Sequence, residues 1–243
     1  MPDILIFLYT YDRDELLKKS LQTMIKNPGM PFRLWILDNG SYFSNMYGEN
    51  SGAKQLDTLL EYYKNGMIEK LIINNSNVGI HFAINQIMAL MKLQSESPLI
   101  KPPDFVMLTN DDMIYEDNWL TETYNTFIAL EKTENVAIVS PFHCKFLSGS
   151  IAHGMKTIRT VEYNGTKYEL KTYVSGNTWF MRGEFFLKTL DWYPINHPTE
   201  GGDWQKLAIL RKNNLLCAVT PHEMAHHAPE SQQKGRYNRL GHW

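Results

Sequence analysis

The sequence predicts an α/β protein built on a mostly parallel central sheet, with helices on both faces and a smaller β/α portion following. Three observations predict it. Short apolar runs at Ile4–Leu8, Phe32–Leu37, Ile68–Ile73 and Phe105–Leu108 have the length and composition of buried strands. Stretches of helical period separate them. Each run is followed at once by polar residues, and in open α/β sheets ligands bind beyond the carboxyl ends of the strands.

Ile4–Leu8 is the first strand; Asp14 is placed as an N-cap, and Leu17, Leu21, Met24 and Ile25 then recur at helical spacing. Asn27, Pro28 and Gly29 stop that helix. The second strand, Phe32–Leu37, runs into a polar loop from Asp38 to Gly52, and Ala53–Lys64 reads as a helix. Ile68–Ile73 is the third strand, Asn74–Gly79 a break, and Ile80–Leu93 an apolar helix. Pro98, Pro102 and Pro103 punctuate the loop before Phe105–Leu108. Later, Val136–Ser140 reads as a strand and Val161–Lys171 as a hairpin turning at Asn164-Gly165. Ser175–Met181 reads as a strand, Glu184–Leu190 as a short helix, Asp203–Lys212 as a helix and Leu215–Thr220 as a strand.

The 243 residues fit one domain, 1–243, in two halves (1–120 and 121–228) with a C-terminal tail at 229–243. A hydrophobic fraction of 43% supplies a sizeable core. A net charge of -2 argues against a nucleic-acid partner, which wants a basic field. Two cysteines in no paired motif suit a reducing, cytoplasmic compartment. Ile4–Leu8 is too short for a signal core, and no apolar stretch is long enough to span a membrane.

The chemistry is read from the residues after the strands. Asp111 and Asp112, following Phe105–Leu108, face mutual repulsion and desolvation, which a hard divalent cation offsets. A capped turn accounts for the same residue types. His222-Glu223-Met224-Ala225-His226 spells the zinc-protease pattern HExxH, followed by His227. Pro221 and Pro229 leave it barely two helical turns. The glycine-rich loops of dinucleotide-binding and P-loop proteins are absent after the first strand, where Thr10-Tyr11-Asp12-Arg13 stands.

Four segments in order carry a resemblance: Leu8 to Arg13, Ile36 to Ser41, Asn75 to Gly79 with Asn85, and Phe105 to Asp112 with Trp119 and Leu120. Over about 120 residues the chain resembles a family 2 glycosyltransferase of the GT-A fold. The resemblance implies a sugar transferred from a nucleotide diphosphate sugar, UDP- or dTDP-linked, to a hydroxyl of a glycan or other acceptor. Transfer would be inverting, with Mn²⁺ or Mg²⁺ as cofactor.

It implies that Thr10 and Tyr11 line the base pocket, with Asp12 and Arg13 beside them; Arg13, or Arg236 and Arg239 from the tail, are the candidates to clamp phosphates. Asp38 would accept a hydrogen bond from the base, and Asn77 and Gly79 would join the nucleotide site. Asp111 would lie near the ribose, and Asp112, the last acid of the Asp-x-Asp signature, would bind the metal. The signature's first acid is here Asn110, and Ile84 stands where the family often has arginine. Asp203 would be the general base, with Glu200 in reserve, although Gly202 replaces the glutamate expected beside it. Asp203 also suits an N-cap. One of His222, His226 or His227 would complete the metal site or meet the diphosphate, while Trp179, Trp192 and Trp204 are candidates for stacking on the acceptor sugar, with core packing the commoner role of such residues. A non-catalytic sugar-nucleotide or glycan-binding module and an HExxH zinc protease are the rival readings.

Overall fold

The structure is a computed structural model that describes residues 1–45, 49–96, 101–143, 156–176, 178–188 and 209–232. The elements run β1 (Ile4–Thr10), α1 (Asp14–Lys26), β2 (Arg33–Asp38), α2 (Ser51–Lys64), β3 (Lys70–Ile73), α3 (Ile80–Ser95), β4 (Phe105–Asn110) and β5 (Met113–Tyr115). They continue with α4 (Trp119–Glu134), β6 (Val136–Ser140), β7 (Thr157–Tyr163), β8 (Thr166–Lys171), β9 (Thr178–Arg182) and α5 (Gly183–Lys188). Residues 209–212 are helical, β10 is Leu216–Val219 and β11 is Ala225–His227.

One nine-stranded sheet, in the order β3-β2-β1-β4-β9-β6-β10-β8-β7, joins the two halves of the chain. β3, β2, β1 and β4 pair in parallel, so their carboxyl ends share one rim. β9 runs antiparallel between β4 and β6, and β6 and β10 are again parallel. The β7–β8 hairpin closes one edge, turning at Asn164 (φ 51°) and Gly165 (φ 77°) as the Asn-Gly pair predicts.

Side-chain alternation splits the core into two layers. Ile4, Ile6, Leu8, Ile36 and Met107 face Leu17, Leu21 and Met24 of α1 and Phe127 and Leu130 of α4. Leu5, Phe7, Trp35, Leu37 and Val106 face Ala83, Ile87 and Met91 of α3 and Phe186 of α5. The parallel strands are thus apolar on both faces, which is why they read as unbroken apolar runs.

β1, β2 and β4 continue past those runs, because Thr10 pairs with Asp38 and Tyr9 with Asn110 in the ladder. The backbone needs no apolar side chain to keep pairing. Asp14 is the first residue of α1 and Arg13 its N-cap, with no side-chain cap bond. The Asp14 carboxylate is taken instead by Lys18 at 2.7 Å and Thr58 at 2.6 Å. α4 went unread because Thr123 and Thr126 lie on its buried side and blur the hydrophobic period. β5 and β11, three residues each, form a separate antiparallel pair, with His227 opposite Met113.

Candidate functional site

The rim shared by β1, β2 and β4 holds the carboxylates in two connected groups. In the first, just past the last ladder pair Tyr9–Asn110, the Thr10 hydroxyl donates to Asp111 Oδ2 at 2.7 Å. Tyr9 OH donates to Asn110 Oδ1. Arg13, at the start of α1, places Nη1 3.3 Å from Asp111 Oδ1 and 3.3 Å from Asp112 Oδ2. Asp111 and Asp112 are both buried. Such a pair needs a cation, and within the chain Arg13 supplies one.

The fourth member comes from far along the chain. Pairing of β11 with β5 brings His227 to Asp112, with Nδ1 3.5 Å from Oδ1, and the Ala228 N–H donates to the Asp112 carbonyl at 2.8 Å. The Phe142 ring meets the imidazole edge to face at 4.9 Å. Asp112 is 1% exposed, and its Oδ1 faces the His227 imidazole among the described residues. A buried carboxylate beside an imidazole is an arrangement that can hold a cation.

Strand alternation turns His226 the other way, toward Glu116 at 3.6 Å, so only His227 joins the acids. Of the two neighbouring histidines expected near the metal, the strand pairing brings His227 to Asp112 and His226 to Glu116. The HExxH pattern also fails, since it needs one helical face, whereas His226 lies on strand β11 and His222 in the turn before it. Among the described residues no group of three or more His, Cys, Asp or Glu converges on a point.

The two acids are electrostatically unlike. Burial pushes Asp111 up to about 6, with Arg13 opposing and Asp112 adding to the shift. Burial also acts on Asp112, but the His227 imidazole and the Arg13 guanidinium outweigh it and hold the carboxyl below its ordinary value. Asp112 is thus the member kept charged.

The second group surrounds Asp38, which is 0% exposed. Its Oδ2 accepts the Ser41 N–H at 2.9 Å, while Oδ1 accepts the Ser41 hydroxyl and Gln55 Nε2, the latter at 2.7 Å. Burial raises its pKa against these bonds. The carboxylate therefore shapes its own loop and turns no exposed oxygen to a base. Asp12, at φ 49°, is also buried; its N–H donates to Ser41 Oγ at 2.8 Å and its carboxylate accepts from Ser44 at 2.5 Å. Tyr11 is half-buried, and its N–H donates to Asp111.

A carboxamide ladder ties this loop to the one after β3. Asn39 Nδ2 donates to Asn77 Oδ1 at 2.8 Å, and Asn77 Oδ1 also accepts the Gly79 N–H at 2.9 Å. Gly40 permits the approach: its φ is +85°, and a Cβ there would stand 2.3 Å from the Ser76 carbonyl carbon.

Trp179 is 1% exposed in β9, packs edge-on to Tyr173 at 6.3 Å and donates its indole N–H to the Val174 carbonyl at 3.2 Å. It is packed in the core, the commoner role of such tryptophans. Asp203, Glu200 and Trp204 lie outside the described residues. Gln55 belongs to the site and was not anticipated, while Tyr9 and Ser41 lie in the post-strand segments without having been given a role. An interior glutamine on a helix carries no sequence signal of what it meets.

No helix among the described residues is long and apolar enough to cross a membrane. No family model matches the sequence, and no curated protein matches it either. Similar solved structures exist. GalNAc-T7 with UDP, GalNAc and Mn²⁺ matches at TM-score 0.63 and 10% identity, covering 93% of this chain. The mannosyltransferase PcManGT from Pyrobaculum calidifontis, in complex with GDP-Man and Mn²⁺, matches at TM-score 0.58 and 13% identity, covering 98%. The chain spans 43% and 61% of the lengths of those two proteins. With its rim of strand ends, its two helical layers and these likenesses, the chain has the GT-A fold of glycosyltransferases.

Proposed function

We propose that this chain is a glycosyltransferase that takes a sugar from a nucleotide diphosphate sugar and passes it to an acceptor hydroxyl. The observation that carries the reading is the cluster of Asp111, Asp112, Arg13 and His227 at the carboxyl rim, with the buried Asp112 carboxylate set between the Arg13 guanidinium and the His227 imidazole. Solved proteins of like fold bind UDP or GDP-Man together with Mn²⁺.

Asp112 and His227 fit a divalent metal. One carboxylate and one imidazole make a mixed oxygen and nitrogen donor set suited to Mn²⁺, with Mg²⁺ the alternative, and phosphate oxygens and water complete such shells. When bound, the ion supplies positive charge to the departing diphosphate. Arg13 supplies a second, permanent positive charge at the same rim. Thr10 and Tyr11 would border the base, and Asp111 the ribose. Asp203 would take the proton of the acceptor hydroxyl as it attacks the anomeric carbon opposite the leaving group, inverting that centre. UDP and dTDP are the donor nucleotides proposed.

The test is calorimetric titration of UDP, dTDP and GDP with and without MnCl₂, followed by donor-hydrolysis and transfer assays. Binding of one nucleotide that needs Mn²⁺ and is lost in Asp112→Ala is expected. No binding of any of them with Mn²⁺ present would overturn the reading. One observation favours a binding module without catalysis: Asn110 occupies the first acid position and is engaged by Tyr9. Tight nucleotide binding without hydrolysis or transfer would select that alternative.

A further inference from the structure

We propose that Gln55 is a positioning residue of the donor site, holding Arg13 in register with the Asp111–Asp112 pair while it braces the Asp38 loop. The inference rests on the donor-site reading above and adds a residue to it.

Gln55 lies in the second turn of α2 and is 0% exposed. A glutamine has two amide hydrogens and a carbonyl oxygen with two lone pairs, and both hydrogens and one lone pair are engaged at the rim. Nε2 donates to Asp38 Oδ1 at 2.7 Å and to Ser41 Oγ at 2.7 Å, while Oε1 accepts the Arg13 N–H at 2.5 Å. None of these partners is on α2. The side chain therefore does not serve its helix; it joins the loop after β1 to the loop after β2.

What it grips makes the junction consequential. Arg13 is the N-cap of α1, so its N–H is not an intrahelical donor, and its backbone φ of -134° departs from helical geometry. No side-chain cap bond secures that end. Gln55 thus anchors the backbone from which the guanidinium reaches both Asp111 and Asp112, with Nη1 3.3 Å from each. Without the anchor the α1 entry can shift, and a long side chain magnifies a small backbone rotation at its tip. Ser41 closes the arrangement, since it also accepts the Asp12 N–H at 2.8 Å. The amides of Asp12 and Arg13 are thereby both fixed from the Asp38 side.

The experiment is a double-mutant cycle with Gln55→Met and Arg13→Met, read as UDP and GDP affinity in MnCl₂ by calorimetry alongside urea-unfolding stability for each protein. Gln55→Met keeps the volume and removes all three hydrogen bonds. If Gln55 acts through Arg13, Gln55→Met weakens nucleotide affinity about 10-fold in the wild-type background, the scale seen when supporting residues of a metal site are lost. In the Arg13→Met background it changes affinity by less than about 2-fold, while its destabilisation is equal in both backgrounds. Equal affinity losses in the two backgrounds overturn the proposal, since the effect would then not pass through the guanidinium. An unchanged affinity in the single variant overturns it as well. Should Gln55→Met fail to fold, Gln55→Glu retains the acceptor for the Arg13 N–H and is expected to retain most of the affinity despite lower stability; loss comparable to Arg13→Met overturns the proposal. Wild-type protein that binds neither nucleotide would instead remove the donor-site reading beneath it.

Discussion

Replacing Asp38 by alanine separates two roles that its sequence position allows. The structure places it inside its loop, so the variant removes the acceptor of three buried donors: the Ser41 N–H, the Ser41 hydroxyl and Gln55 Nε2. Each buried donor left without a partner costs roughly 1–3 kcal/mol. Against that stands the relief of a buried carboxylate that burial already pushes toward protonation. Taking about 1.5 kcal/mol for each donor and returning about 1.5 for the carboxylate leaves a net loss of about 3 kcal/mol. For a chain of this length that is a fall in Tm of roughly 6–12 °C. Differential scanning calorimetry without ligand reads the loss directly, and nucleotide titration in MnCl₂ on the folded fraction reads the other role. A variant that melts within a degree of wild type yet no longer binds nucleotide would refute the reasoning, because Asp38 would then be spending its oxygens on the base.

Three further perturbations test the rest of the site. Gly40→Ala places a methyl group 2.3 Å from the Ser76 carbonyl carbon at φ +85°, and a loss of roughly 3 kcal/mol is expected in urea unfolding; unaltered stability would mean the two loops do not meet there. Asp112→Asn and His227→Ala should each weaken Mn²⁺ binding about 10-fold or more in a manganese titration, while His226→Ala leaves it unchanged because its ring faces Glu116. A larger effect from His226 than from His227 would reverse the strand register proposed for the metal.

The last concerns pH. Asp111 titrates at about 6 when folded against an ordinary 3.8, so the native state binds the extra proton between those values. Its contribution to metal-free stability is complete below about 4 and is lost as pH rises through about 6. Wild type in EDTA should lose stability relative to Asp111→Asn across that window in urea melts; a difference that grows in the opposite direction would contradict the burial of that carboxyl.

The elements of regular period were legible in the chain itself. β1, β2, β4, β6 and the β7–β8 hairpin stand where apolar runs and the Asn164-Gly165 turn put them, because strands covered on both faces leave a continuous apolar signature. That polar residues, acids among them, follow each of these strands could likewise be read without coordinates. α4 could not, since Thr123 and Thr126 satisfy its buried face with residues that the hydrophobic period does not count.

Local sequence thus determined the strand and helix inventory and the chemical character of the rim, because side-chain periodicity is a short-range property. Tertiary structure alone decided which groups meet. His226 and His227 are chemically equivalent neighbours until a three-residue pairing of β11 with β5 sends one to Asp112 and the other to Glu116. Asp38 opens a polar loop on paper and is interior in the fold, because Ser41 and Gln55 close over it. Trp179 fits a stacking platform or the core on sequence alone, and β9 entering the sheet between β4 and β6 buries it. Such choices depend on strand register and chain crossing, where a shift of one residue exchanges the two faces of a strand.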